Sequence, residues 1–155
     1  MNFFKLNLYK DLKLDTFYWG GAVSIIKQID LNSKVNIISS LDQACKGEEL
    51  NPLIDGWNEI NYNQFKELLT SALQFNLGFL NHEVMPIEKA THFFKVLTTN
   101  YDHEKCRCFT NAFDNPWTTE NGSFSYNSVS KYTLDLALTL VNEDKLLLIY
   151  FFFED

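Results

Sequence analysis

The clearest pattern in the chain lies near its C-terminus. Tyr132, Leu134, Leu136, Leu138 and Leu140 alternate strictly with Lys131, Thr133, Asp135, Ala137 and Thr139. Period two predicts a half-buried strand, with the leucines in a core and the polar partners in water. Asn142-Glu143-Asp144-Lys145 is a polar break of turn length, and Leu146 to Phe153 after it is apolar on both faces. Strands joined by so short a turn pair antiparallel. Lys105 to Phe113 reads as a third strand, and Asn2 to Tyr9 as a first one.

The rest of the chain carries helical spacing. Val23, Ile26 and Ile29 recur every three residues, which predicts a helix over Thr16 to Ile29, weakened at its start by Gly20-Gly21. Asn32 or Ser33 can cap a second helix running to about Cys45, with Val35, Ile38 and Leu41 on one face and Gly47 as a stop. Glu48 to Ile60 contains Pro52 and Gly56 without periodicity and reads as a loop. Asn61 or Asn63 caps a helix to about Asn76, whose apolar face is Phe65, Leu68, Leu69, Ala72, Leu73 and Phe75. Pro86 suits the first turn of a last helix, carried to about Thr99 by Ala90, Phe93, Phe94 and Leu97. Helices in the N-terminal two-thirds, packed on a C-terminal antiparallel sheet, make an α+β fold. We read residues 1–155 as one globular domain, a length that supports a core without disulfide or metal.

Charge narrows the function. With 13 Lys+Arg against 20 Asp+Glu, the formal net charge is −7. Phosphate backbones are held mainly by Lys and Arg, and the only arginine here is Arg107. The balance therefore predicts no direct nucleic-acid binding and favours a basic partner. The first residues, Met1 to Tyr9, are broken by Lys5 and Asn7 and do not read as a secretory signal. No apolar run reaches the roughly 18 residues that a membrane helix needs. Three cysteines, an odd number, give no disulfide framework and fit a reducing cytoplasm.

Little in the sequence points to catalysis. His103-x-x-Cys106-x-Cys108 is the nearest approach to a metal cluster, but a Cys-x-Cys on a strand turns both thiols to one face. Both read better as small core side chains, and no metal or cofactor is expected. Cys45 or Cys108 could meet His82 or His92 as a nucleophilic pair, although no neighbouring base or glycine elbow activates them. Gly20-Gly21 lacks the spacing of a phosphate-binding loop, and His82-Glu83 lacks the second histidine of a metalloprotease helix.

Acidic residues interleave with tryptophan instead. Glu48, Glu49, Asp55 and Glu59 surround Trp57, and Asp114 and Glu120 flank Trp117. Carboxylates that steer and aromatic rings that anchor suit the capture of a basic protein surface. The candidate partner-binding residues are therefore Glu48, Glu49, Asp55, Trp57, Glu59, Trp117 and Glu120.

Three C-terminal segments carry a family resemblance. They are Trp117-Thr-Thr-Glu, Ser128-Val-Ser-Lys-Tyr-Thr-Leu-Asp135 and the closing Leu148-Ile-Tyr-Phe-Phe-Phe-Glu-Asp155. Together they resemble the C-terminal half of small bacterial immunity proteins of polymorphic toxin and contact-dependent growth-inhibition systems. The resemblance implies a cytoplasmic, non-catalytic protein that binds and occludes one toxin domain, often a basic nuclease. Two other classes compete with that expectation. One is a small enzyme built on Cys and His. The other is an adaptor that self-associates through the apolar last strand, were it at a sheet edge.

Overall fold

A computed structural model describes residues 23–31 and 36–154. Its five strands are β1 (Val23–Asp30), β2 (Asn58–Ile60), β3 (Arg107–Thr110), β4 (Leu134–Val141) and β5 (Lys145–Phe153). They form one antiparallel sheet in the order β1-β5-β4-β3-β2. Three helices accompany it: α1 (Ile37–Gly47), α2 (Tyr62–Gln74) and α3 (Ile87–Thr98). The class is α+β, as the sequence pattern indicates. The strand expected over Asn2 to Tyr9, and the first part of the helix expected from Thr16, lie outside the described residues.

The hairpin of β4 and β5 is the centre of the sheet. Its turn is closed by Asn142, whose Oδ1 accepts from the Asp144 and Lys145 amides while its own amide donates to the Lys145 carbonyl. Residues of β5 are apolar on both faces because both faces are covered. Leu147, Ile149 and Phe151 join Leu136, Leu138 and Leu140 beneath α2 and α3, together with Phe65, Leu69, Phe93 and Leu97. Leu146, Leu148 and Tyr150 pack on the opposite side against Leu41, Ala44 and Cys45 of α1. The sheet is thus a middle layer with helices on each side.

That arrangement corrects several expectations. Val23–Asp30 is a strand, not the end of a helix. The i, i+3 spacing of Val23, Ile26 and Ile29 was also compatible with an extended segment rich in β-branched residues, and β5 supplies the partner that decides it, with Ile26 opposite Ile149 and Lys27 opposite Leu148. The face of β4 expected in water is buried: Asp135, Ala137 and Thr139 are all sealed from solvent. The first described helix begins later than expected, because Asn36 rather than Asn32 or Ser33 provides the cap, accepting from the Ser39 amide. The Glu48 to Ile60 stretch ends in the short edge strand β2, paired with β3. Finally, β5 lies between β1 and β4, so its apolar run is not an edge open to another chain.

Local signals hold well where they were strong. Asn61 and Gln64 form a reciprocal capping box at the start of α2. Pro86 sits at the N-cap of α3, immediately before Ile87. Among the described residues, no helix is long and apolar enough to cross a membrane.

Leu138 is fully buried between the sheet and the α2–α3 layer. Leu138→Ala should lower unfolding stability in denaturant titration by about 2–5 kcal/mol, the range for a cavity in a closed core. Asn61→Ala removes only a cap and should cost about 1 kcal/mol.

Candidate functional site

Two long connections precede β2 and β4, and the antiparallel topology brings them to one end of the sheet, where β3 and β5 finish. They are residues 48–57 and 111–133. Three hydrogen bonds tie this end together: Asn51 N–H to the Val129 carbonyl at 2.7 Å, Asn127 Nδ2 to the Gly56 carbonyl at 2.8 Å, and Asn58 Nδ2 to the Ala112 carbonyl at 3.0 Å. Gly56 makes room for the second of these, since a Cβ there would lie 2.9 Å from Asn127 Nδ2. The two acidic stretches, separate in sequence, therefore form one surface.

Each connection is organised by a carboxylate from the sheet-and-helix frame. Asp42, on α1, accepts from the Leu53 amide and from Trp57 Nε1 through Oδ1, both at 2.9 Å, and from the Ile54 amide through both oxygens. Asp135, completely buried on β4, holds the second connection. Its Oδ1 accepts from Asn111 Nδ2 at 2.8 Å and the Val129 amide at 3.1 Å; its Oδ2 accepts from the Ser130 hydroxyl at 2.7 Å and the Ser130 amide at 3.1 Å. The Ser128 hydroxyl lies 2.9 Å from the same Oδ2. A buried carboxylate is tolerated only with such compensation. Asn111 extends the network by accepting from the Ala137 amide and donating to the Asn127 carbonyl.

The candidate residues take different places on this frame. Asp55 and Glu120 are exposed, as is Glu49. Glu48 caps the end of α1 and forms an ion pair of 2.6 Å with Lys27, whose side chain is sealed from solvent. Trp57 is only 9% exposed and packs with Leu41, Phe109 and Leu148, so its ring faces inward and its indole N–H serves Asp42. Glu59 stands on the edge strand in a two-pronged bond with Arg107, both contacts at 2.8 Å. That bond holds the Glu59 carboxyl below its usual range and occupies the chain's one arginine. Trp117 is half-buried against the α2–α3 core.

Sequence reasoning missed two side chains. Ile54 and Phe113, 66% and 53% exposed, stand on the two connections. Their neighbours Asp55 and Asp114 were visible as charges, but outward exposure of an apolar residue has no local signature. Phe113 and Asp114 also line a groove of about 240 Å³ beside β2, whose only ionisable lining groups are Asp114 and Glu67. Glu48 and Glu49 line another of about 550 Å³ with Lys131, Tyr132, Tyr150 and Phe152, in which Tyr132 and Phe152 stack at 4.2 Å.

The thiols are placed for packing. Cys108 is buried and Cys106 half-buried, and they share the α2–α3 side of the sheet. Burial pushes the Cys45 and Cys108 thiols up to about 12 and raises Cys106 as well. Such groups stay protonated at neutral pH, the opposite of an activated nucleophile. His82, His92 and His103 are all exposed. Among the described residues, no three His, Cys, Asp or Glu side chains are grouped to hold a metal ion.

The raised thiols make a pH prediction. Unfolded thiols ionise from about pH 8.5, whereas the native ones resist ionisation until about 12. The unfolded state therefore gains from losing protons first, so stability is held below that range and falls as pH rises through it. Tyr101 and Tyr150, also raised by burial, add to the fall at higher pH. Denaturant unfolding between pH 8 and 10.5 should show a decline that is shallower in a Cys45→Ala/Cys108→Ala variant. A second prediction concerns Asp135→Asn, which turns an amide donor toward groups that already donate. It should cost at least about 2 kcal/mol and speed amide exchange at Val129 and Ser130.

The surface has to be read from its own chemistry, for no protein-family model, curated protein or solved structure matches this chain.

Proposed function

We propose that the protein is an immunity protein, which binds a cognate toxin domain in the bacterial cytoplasm and neutralises it by stoichiometric occlusion. One observation carries the reading. The end of the sheet presents two exposed apolar side chains, Ile54 and Phe113, among the carboxylates of Glu49, Asp55, Asp114 and Glu120, with Lys131 the one cation among the described residues of both connections. Apolar anchors inside a charged rim are the anatomy of a protein interface, and the sign of the rim selects a basic partner.

Other features support the same reading. Arg107 is engaged by Glu59 rather than presented to a phosphate. The loops are pinned by Asp42 and Asp135, so little ordering entropy is lost when a partner docks. A basic nuclease domain fits best, because the carboxylates can stand where substrate phosphates would lie. The competing Cys/His enzyme needs a thiolate that burial opposes, and the self-associating adaptor needs β5 at an edge.

The test looks for a secreted-toxin gene beside this reading frame and uses the C-terminal domain that it encodes. Wild-type protein should form a 1:1 complex with it, abolish its activity and protect cells that express it. Asp55→Lys combined with Glu120→Lys should slow association by about tenfold at low salt, and the wild-type on-rate should drop as salt is added. A complex indifferent to both salt and charge reversal would exclude the electrostatic mechanism, and an active toxin at saturating protein would exclude the function.

A further inference from the structure

Three non-glycine residues among those described adopt positive φ: Glu49, Ile54 and Asn121, at 60°, 58° and 63°. Asparagine accepts this region readily, and unbranched side chains accept it better than branched ones. Isoleucine is among the worst choices, since its branched Cβ crowds the backbone there. Yet Ile54 is also the most exposed large apolar side chain among the described residues.

The fold explains the backbone but not the side chain. Asp42 accepts the Leu53 and Ile54 amides, Gly56 N–H donates to the Leu53 carbonyl at 2.8 Å, and Asn127 holds the Gly56 carbonyl. Leu53 and Trp57 pack inward on either side of the tip. Each of these bonds would form with glycine or asparagine at position 54, at lower conformational cost. A strained backbone carrying an outward apolar group is the pattern of a contact residue, because strain persists where the surroundings fix it and function uses it.

We infer that Ile54 is the apolar anchor of the interface with the toxin domain, entering an apolar pocket whose rim carries a Lys or Arg that meets Asp55. The inference rests on the immunity reading and adds the residue and the pocket chemistry to it. The pinned loop presents Ile54 already in place, so its burial is gained without ordering the backbone. Asp55, exposed beside it, supplies steering, and the two neighbours act on different rates: an anchor sets how slowly the complex dissociates, a rim charge how fast it forms.

Two variants test this with the same toxin domain. Ile54→Asn keeps the turn and removes the apolar group. It should unfold at the wild-type temperature or above, and bind at least about tenfold more weakly, mainly through faster dissociation. Ile54→Leu keeps an apolar side chain with less crowding, and should match the wild type in both measurements. Binding of Ile54→Asn within about twofold of wild type would overturn the anchor while leaving the immunity reading intact. A melting temperature lowered by several degrees in Ile54→Asn would overturn it too, by showing that Ile54 serves the fold. Failure of the wild type to bind the toxin domain would remove both the immunity reading and the anchor.

Discussion

A buried carboxylate with nowhere to send its charge is the constraint on which this surface depends. Asp135 sits on a central strand with no access to water, and it is tolerated because Asn111, Val129, Ser128 and Ser130 surround it with donors. The dependence runs both ways. Without Asp135, the 128–130 turn would have buried amide and hydroxyl groups to satisfy; without the turn, the carboxylate could not remain inside the sheet. Asn111 then carries the same network to the end of β3 and to Asn127, which in turn grips Gly56. One polar cluster thus links the core to both acidic connections. Fully satisfied networks of this kind rigidify what they touch.

Legibility followed the range of the interactions. The β4–β5 hairpin, a cap at Asn61 or Asn63 for α2, and Pro86 ahead of α3 could be read because each depends on residues a few positions apart. β1 could not, because Val23, Ile26 and Ile29 satisfy a helical spacing, and the ladder to β5 lies more than a hundred positions away in sequence. β2, three residues long, carries no periodicity at all. For β4 the alternation was plain but its meaning was not: Asp135, Ala137 and Thr139 look like a solvent face until α1 and the 128–130 turn cover them. The true cap at Asn36 stood among several polar residues, any of which local chemistry allowed.

The candidate site divides in the same way. Its charges were visible in the sequence, because acidic residues cluster in two aperiodic stretches, and the topology that joins those stretches follows from antiparallel pairing. What no local pattern revealed was direction. Trp57 turns inward because Asp42 takes its indole N–H, and Glu48 and Glu59 are drawn into ion pairs with Lys27 and Arg107. Those pairings leave Glu49, Asp55 and Glu120 as the exposed members of the set outside an ion pair, Glu59 being exposed but held by Arg107. On these two connections the outward apolar side chains are Ile54 and Phe113 rather than the tryptophans.

This division of labour explains why an acidic protein need not spread its charge evenly. Carboxylates inside the frame, Asp42 and Asp135, are spent on backbone amides and shape the loops; carboxylates outside it are left for solvent or a partner. Charge repulsion among the exposed ones is modest across water and screened by salt, so it costs the fold little. The inner ones cannot be exchanged for neutral groups without loosening the loops that carry the outer ones. Shape and charge at this end of the sheet are therefore set by the same residue type at two depths, and a substitution confined to the outer layer would alter the surface charge while the hydrogen bonds that shape the loops stayed in place.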